Sequence, residues 1–215
     1  MGIERGSRDR MQQQIILASA SPRRQEMLQN LGLEFTIHPS GADETVVGRV
    51  EPSDLVEMLA VRKAADVASS YQSGIVIGSD TVVAHKGQAL GKPVDDQEAF
   101  QMLSSLQGQT HSVFSGLAVI NAKNGVCQQG WVETKVHMRP VSEEEIRDYI
   151  LTGEPRDKAG AYAIQGFGSL FVNGIEGDYF SVVGMPIRLL AQYLEQFGVN
   201  VLKQVHQRHT RKHRE

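Results

Sequence analysis

Gln14-Ile-Ile-Leu-Ala-Ser-Ala-Ser-Pro-Arg-Arg-Gln-Glu-Met-Leu-Gln-Asn-Leu31 reads as a strand handing over to a helix. Gln14 to Ser19 is a short apolar run of strand length. Ser21-Pro22 is a helix start, with serine as N-cap and proline at the first helical position. Met27, Leu28 and Leu31 give the helix an apolar stripe, and Gly32 follows as a left-handed C-cap. Strand, loop, helix is the first unit of a mixed α/β chain.

Working outward, Phe35 to His38 reads as a second strand, followed by the long polar loop PSGADETVVGRVEPSD. Loops of that length are often functional. Pro52 to Tyr71 carries Leu55, Met58, Leu59, Ala64, Val67 and Ala68 at helical spacing. Gly74 to Gly78 is a strand-length apolar run, and Val82 to Leu90 reads as a hairpin turning at His85-Lys86-Gly87. A helix capped by Asp95 or Asp96 follows to Leu106. His111 to Ile120 and Gln129 to Met138 then form a β-rich pair around Asn124-Gly125, which predicts an antiparallel extension of the sheet. Ser142 opens a helix through a capping box with Glu145, ending near Gly153. Gly160 to Ile175 carries four glycines, and Pro186 to Gln196 closes with a helix. No internal repeat or rich linker divides the chain. One domain is expected over 13–202, between a flexible N-terminal extension (1–12) and a basic, flexible, solvated tail (203–215).

Composition narrows the class. With 215 residues, 40% hydrophobic and 22% charged, the chain supports an ordinary globular core. A net charge of -3 argues against a protein that grips a nucleic-acid backbone through an overall positive field. The single cysteine, Cys127, makes no internal disulfide, and no Cys/His pairs stand at zinc-site spacing. The polar start MGIERGSRDR is unlike a signal peptide, and no apolar stretch approaches the roughly 18 residues of a membrane helix. A soluble, cytoplasmic chain with neither nucleic-acid nor membrane partner is expected.

Four clusters carry candidate chemistry. Ser19 to Arg24 sets two hydroxyls and two guanidiniums at a helix N-terminus, where free N–H groups, the helix dipole and arginine forks favour phosphate; a capped helix with solvated arginines is the plainer reading. Gly78-Ser79-Asp80-Thr81 places Asp80 at the carboxyl end of an apolar strand, suited to meet a metal or activate water, and it reads equally as an Asx-turn. Lys92, in Leu90-Gly-Lys-Pro93, is able to reach a phosphate, though most loop lysines are solvated, and Lys63 is less distinctive still. Glu44, in the long loop, offers a second carboxylate for a divalent cation, though a lone glutamate reads equally as surface. The run Glu154-Pro-Arg-Asp-Lys-Ala-Gly-Ala-Tyr-Ala-Ile-Gln-Gly166 carries Gln165, whose amide both donates and accepts and can read a base edge, with a Gly-rich turn and a satisfied glutamine as the plainer reading.

In combination these clusters resemble the Maf family of nucleotide pyrophosphatases from about Ile15 to Leu194. SASPRRQEML, IGSDTVV, LGKPVD, DKAGAYAIQG and GDYFSVVGMP fall in the family's order. The resemblance implies an elongated, twisted mixed β-sheet flanked by helices, with two lobes and a deep cleft, as in Maf and ITPase-like folds. It implies Asp80 as proton acceptor, with Ser19, Arg24, Lys63 and Lys92 on the triphosphate and Glu44 as a further acidic site position. It also implies a divalent cation (Mg²⁺ or Mn²⁺) held by Asp80 and Glu44, a nucleoside triphosphate substrate and a homodimer. Arg23, Thr81 and Gln165 resemble the trio of the subgroup acting on dTTP and UTP. Ala163 stands where relatives often carry glycine. Because Maf proteins are also linked with inhibition of septum formation, a nucleotide-binding regulator of cell division is the rival expectation. A P-loop nucleotidase is excluded, since no GxxxxGK[ST] is present.

Overall fold

The computed structural model describes residues 13–212; the extension expected over 1–12 lies outside them. Strand β1 (Ile15–Leu17) leads to helix α1 (Pro22–Asn30), then β2 (Phe35–Ile37), the long loop and α2 (Pro52–Ala68). Next come β3 (Ile75–His85), β4 (Gln88–Leu90), α3 (Asp96–Leu106), β5 (Thr110–Asn121) and β6 (Cys127–Met138). Helix α4 (Glu143–Leu151), three short 3-10 turns, β7 (Val172–Glu176) and helices α5 (Tyr179–Val183), α6 (Ile187–Gln196) and α7 (Val201–Lys212) complete the described chain. The seven strands make one mixed sheet in the order β2-β1-β3-β5-β6-β7, with β4 paired to β3. The expected mixed α/β architecture is present.

One reading of the sequence is corrected. Gly78-Ser79-Asp80-Thr81 does not end a short strand: β3 runs through it unbroken, paired with β5 from Ile75↔Asn121 to Ala84↔Ser112. Gly78 marks a close approach rather than a break. A Cβ there would lie 2.4 Å from the Ala60 carbonyl oxygen, and one on Gly116 would lie 2.1 Å from that of Val56. Helix α2 rests on these two glycines, its backbone nearly touching the sheet.

The opposite edge of β3 is what opens the molecule. There β1 pairs only with Ile75–Ile77 and β4 only with Val83–His85. Among the described residues no strand pairs with 78–82 on that side, so the sheet has a gap flanked by the end of β1 and the start of β4.

The sheet face away from α2 divides accordingly. Ile75, Ile77, Leu117 and Val119 join Leu17, Leu28, Met185, Leu190 and Leu194 in one apolar core. Val83, Val113, Val136 and Met138 join Leu103, Leu106, Ile146 and Phe171 in a second. Between them the same strands present Ser79, Thr81, Ser115 and Thr134, a belt of hydroxyls. Two cores on shared strands are the two lobes.

The segment expected as a basic tail from residue 203 is helical to Lys212. Asn200 starts it, its Oδ1 accepting from the Lys203 N–H at 2.9 Å. Val199 and Val201 anchor it in the first core, and Val205 approaches Gly32. This asparagine cap followed by valines at i, i+4 spacing is the signal that the basic composition masks. Among the described residues no helix is long and apolar enough to cross a membrane.

Candidate functional site

The gap beside β3 is the floor of a cleft of about 1010 Å³, lined by Ser19, Arg23, Arg24, Glu44, Lys63, Asp80, Thr81, Lys92 and Gln165. Every candidate residue read from the sequence therefore reaches one cavity, although they come from six separate stretches of chain. Glu154, Asp157, Lys158 and Tyr162 line it as well. They lie in the run that carries Gln165, where the sequence drew attention only to the glutamine.

Asp80 sits on the α2 side of the sheet, 9% exposed. One turn past the close approach at Gly78, α2 aims Lys63 at it: the ammonium lies 2.7 Å from Asp80 Oδ1 and 3.0 Å from Glu44 Oε2. A cation thus bridges the two carboxylates. Glu44 is carried by the long loop, which is tied to α2 rather than left loose. The Asp66 carboxylate accepts from Ser40 Oγ at 2.7 Å and the Gly41 N–H at 2.9 Å, while Arg62 donates to the carbonyls of Asp43 and Thr45 at 3.4 and 3.1 Å. Both Ser40 and Gly41 donation hold the Asp66 carboxyl below its ordinary pKa.

The β1–α1 turn forms the facing wall. Ser21 is the N-cap of α1 by backbone geometry, but its side chain makes no capping bond. First-turn N–H groups of α1 are therefore left without a side-chain acceptor, beside Ser19 and two arginines, a setting that favours an anion. Arg24 is held by three neutral acceptors: the Gly184 carbonyl at 2.9 Å, Ser19 Oγ at 3.2 Å and Thr81 Oγ1 at 3.4 Å. Burial pulls its pKa below the usual value for a guanidinium, and the nearby Asp80 acts in the opposite sense. No carboxylate forms an ion pair with Arg24 among the described residues, so its charge is available to a ligand.

Thr81 belongs to the hydroxyl belt more than to the open cleft. Its Oγ1 lies 2.7 Å from Ser115 Oγ and 3.3 Å from the Gly184 carbonyl oxygen, which also accepts from Ser79 Oγ at 3.0 Å. Ser115 donates to the Ser181 carbonyl at 2.6 Å, and Thr134 and Ser181 hydroxyls meet at 2.7 Å. The segment GDYFSVVG, with Asp178 capping α5, is thereby locked to β3 and to Arg24.

Lys92 is exposed after β4, and Lys158 pairs with Asp157 at the same mouth. That contact, with a smaller contribution from Arg23, lowers the Asp157 pKa. Gln165 is exposed, and its amide makes no side-chain hydrogen bond among the described residues. Arg23, Arg24, Lys92 and Lys158 thus give the cleft walls basic groups, and its carboxylates stand in two places, Asp80 and Glu44 beside Lys63, and Glu154 and Asp157 in the run before Gln165.

Among the described residues no group of three or more His, Cys, Asp or Glu stands together as a ready metal cage. The donor chemistry nonetheless fits a hard cation. Lys63 engages one oxygen of each carboxylate, leaving Asp80 Oδ2 and Glu44 Oε1, and magnesium-type ions use one or two carboxylates with waters and substrate phosphates completing the shell.

A family model described as Maf-like protein matches residues 14–197. The chain is 52% identical over 188 residues to the dTTP/UTP pyrophosphatase of Desulforamulus reducens, covering 87% of this chain and 98% of that protein. It is 49% identical to the dTTP/UTP pyrophosphatase of Pelotomaculum thermopropionicum, covering 88% and 99%. The solved structure of the Staphylococcus aureus Ham1 protein aligns with 58% of this chain and 71% of that one, at a TM-score of 0.42 and 12% identity. The matched span begins just before β1 and ends just after α6, taking in both walls of the cleft, and the chain belongs to the Maf family.

Proposed function

We propose that this chain hydrolyses dTTP and UTP to the nucleoside monophosphate and pyrophosphate. The observation that carries the proposal is the cleft in which Asp80, with Lys63 and Glu44, faces the anion-collecting turn Ser19–Arg24. The relatives' names agree with it.

On this reading the triphosphate lies along the turn, with Ser19, Arg24, the α1 N-terminus, Lys63 and Lys92 neutralising its oxygens. A water takes an in-line position toward the α-phosphorus. Asp80 accepts the water's proton. The new P–O bond forms as the bond to the β-phosphate oxygen breaks, and pyrophosphate leaves toward the basic mouth at Lys92 and Arg23. Asp80 and Glu44 would hold a magnesium or manganese ion, which when bound supplies charge neutralisation at the phosphates. Gln165 meets the base. A cytoplasmic location and a homodimer belong to the same proposal; sedimentation velocity of the purified protein tests the latter.

Purified protein given dTTP or UTP with Mn²⁺ is expected to release pyrophosphate in step with the monophosphate. Release of single orthophosphate would overturn the proposal. Asp80→Asn, which keeps the shape and removes the base, is expected to lower kcat by about 10²–10⁴-fold. Activity near wild type in that variant would remove Asp80 from the chemistry. A cell-division phenotype rescued equally by the Asp80→Asn protein would favour the regulator instead.

A further inference from the structure

The turn that presents Gln165 is held from behind by two residues to which nothing so far gives a role. Glu154 Oε1 accepts from the Tyr149 hydroxyl at 2.8 Å and from the Gly168 N–H at 2.9 Å, and its Oε2 accepts from the Phe167 N–H at 3.0 Å. The Tyr149 hydroxyl in turn accepts from the Ala163 N–H at 3.3 Å. A single carboxylate and a single phenol therefore fasten the chain on both sides of Gln165, two residues before it and two and three after.

The backbone is shaped for this fastening. Gly166 has φ +89°, and a Cβ there would lie 2.4 Å from Glu154 Oε2; a Cβ on Gly168 would lie 2.8 Å from the Tyr149 hydroxyl. Only glycine lets the turn close this tightly over the two side chains. Tyr149 is 4% exposed, stacked edge-on against Phe171 with ring centroids 5.0 Å apart, so the phenol cannot swing away. Glu154 follows Gly153, whose φ of +76° ends the turn after α4 and redirects the chain beneath the Gln165 loop. Burial, with Glu154 beside it, pushes the Tyr149 pKa up, so the phenol keeps its proton to donate. Gln165 itself is exposed. Its direction is set by the backbone that Glu154 and Tyr149 hold.

We propose that Glu154 and Tyr149 are positioning residues that fix Gln165 and thereby set which base the cleft accepts. The inference rests on the reading that Gln165 meets the base. It separates two parts of the cleft: the phosphate end, built on β1, α1 and α2, and the base end, built on α4 and the glycine-bearing run after it.

The test measures steady-state kinetics of Glu154→Gln, Tyr149→Phe and Gln165→Ala with dTTP and dGTP, and inhibition by inorganic tripolyphosphate, which has no base. Glu154→Gln sets an amide NH₂ against one of the two N–H donors, that of Phe167 or that of Gly168, and Tyr149→Phe removes the bridge to Ala163. Each is expected to raise KM for dTTP and to lower the dTTP/dGTP ratio of kcat/KM by about tenfold, the scale of one lost hydrogen bond to a charged group. kcat should stay within about twofold and the tripolyphosphate inhibition constant unchanged. Added to Gln165→Ala, either substitution should change the ratio by no more than about twofold, because the side chain it positions is gone.

An equal fall of kcat on both nucleotides, or weaker inhibition by tripolyphosphate, would overturn the positioning role. An unchanged nucleotide ratio in both Glu154→Gln and Tyr149→Phe, with the ratio lost in Gln165→Ala, would overturn it too. An unchanged ratio in Gln165→Ala would remove the base reading and the inference with it. Should Glu154→Gln melt below the assay temperature, Tyr149→Phe carries the comparison. Calorimetric affinities of dTTP and dGTP on the Asp80→Asn background report the same ratio without turnover. A wild-type protein that hydrolyses neither nucleotide would thus sink the proposed function while the clamp is still judged on binding.

Discussion

Arg24 shows how much of the site is decided by a single side chain's surroundings. Its guanidinium reaches the Gly184 carbonyl, Ser19 and Thr81 at once, from a turn, a strand and the end of α5. A planar fork does this; a compact ammonium cannot. Arg24→Lys is therefore expected to raise KM for the triphosphate by at least about tenfold, with a smaller change in kcat, as steady-state assays would show. A KM equal to wild type would mean that the charge alone suffices. Ser19 and Arg24 were legible because they are neighbours in sequence and share a turn whose chemistry is local. Gly184 and Ser115 were not, because each acts on a residue far away in the chain, and Glu154 was not, because nothing marks it where it stands. Thr81 stood out in the sequence as a candidate and lines the cleft, but its hydrogen bonding was not legible: its hydroxyl is engaged with Ser115, Gly184 and Arg24.

At the level of elements, the decisive contact is α2 on the sheet. Lys63 meets Asp80 because the helix backbone descends onto Gly78 and Gly116, where a Cβ would lie 2.4 and 2.1 Å from carbonyl oxygens. Gly116→Ala must lift the helix at Val56, and overpacking of this kind costs about 1–3 kcal/mol. Thermal melting of the variant should fall accordingly, and turnover should fall further than stability explains, since Lys63 moves off Asp80. Unaltered melting would show that the helix yields there without strain. The helix, its apolar stripe and its start at Pro52 were readable from periodicity. The glycines beneath it were not: in one dimension Gly78 reads as the end of a strand and Gly116 passes unmarked within one, and only the packed helix reveals both as a landing place. Strands β5 and β6 were likewise slightly longer than their apolar cores suggested, because ladder pairing carries polar positions such as Thr110 and Gln128 along with it.

Across the whole molecule, two histidines at the edge of the second core tie stability to pH. His111 is 3% exposed and bonds Tyr162 through Nε2 at 2.7 Å, whereas its Nδ1 and both nitrogens of His85 have no partner among the described residues. Burial, then the neighbouring His85 and His137, lowers the His111 pKa to about 4. Between that value and the ordinary 6.5 the unfolded chain takes up a proton that the folded chain refuses. Stability is therefore complete above pH 6.5 and declines as pH falls toward 4, by at most about 3 kcal/mol from this residue. His111→Gln is expected to flatten the fall in melting temperature over that interval; an unchanged slope would place the sensitivity elsewhere. The overall α/β plan and the presence of a phosphate-favouring corner were within reach of the sequence, while the cleft depends on where β1 stops and β4 starts along β3, which no local pattern encodes.

Strands β3, β5 and β6 pass without interruption beneath both lobes, and at about 3.4 Å per residue the twelve residues of β5 extend about 40 Å. Closing the lobes on a ligand would have to bend that three-stranded ribbon and its ladder together. The consequence is kinetic. A nucleotide meets a groove already in its working shape, so association waits on encounter and dehydration rather than on a rearrangement of the protein. In stopped-flow mixing, the observed binding rate should then climb linearly with nucleotide concentration and show no plateau.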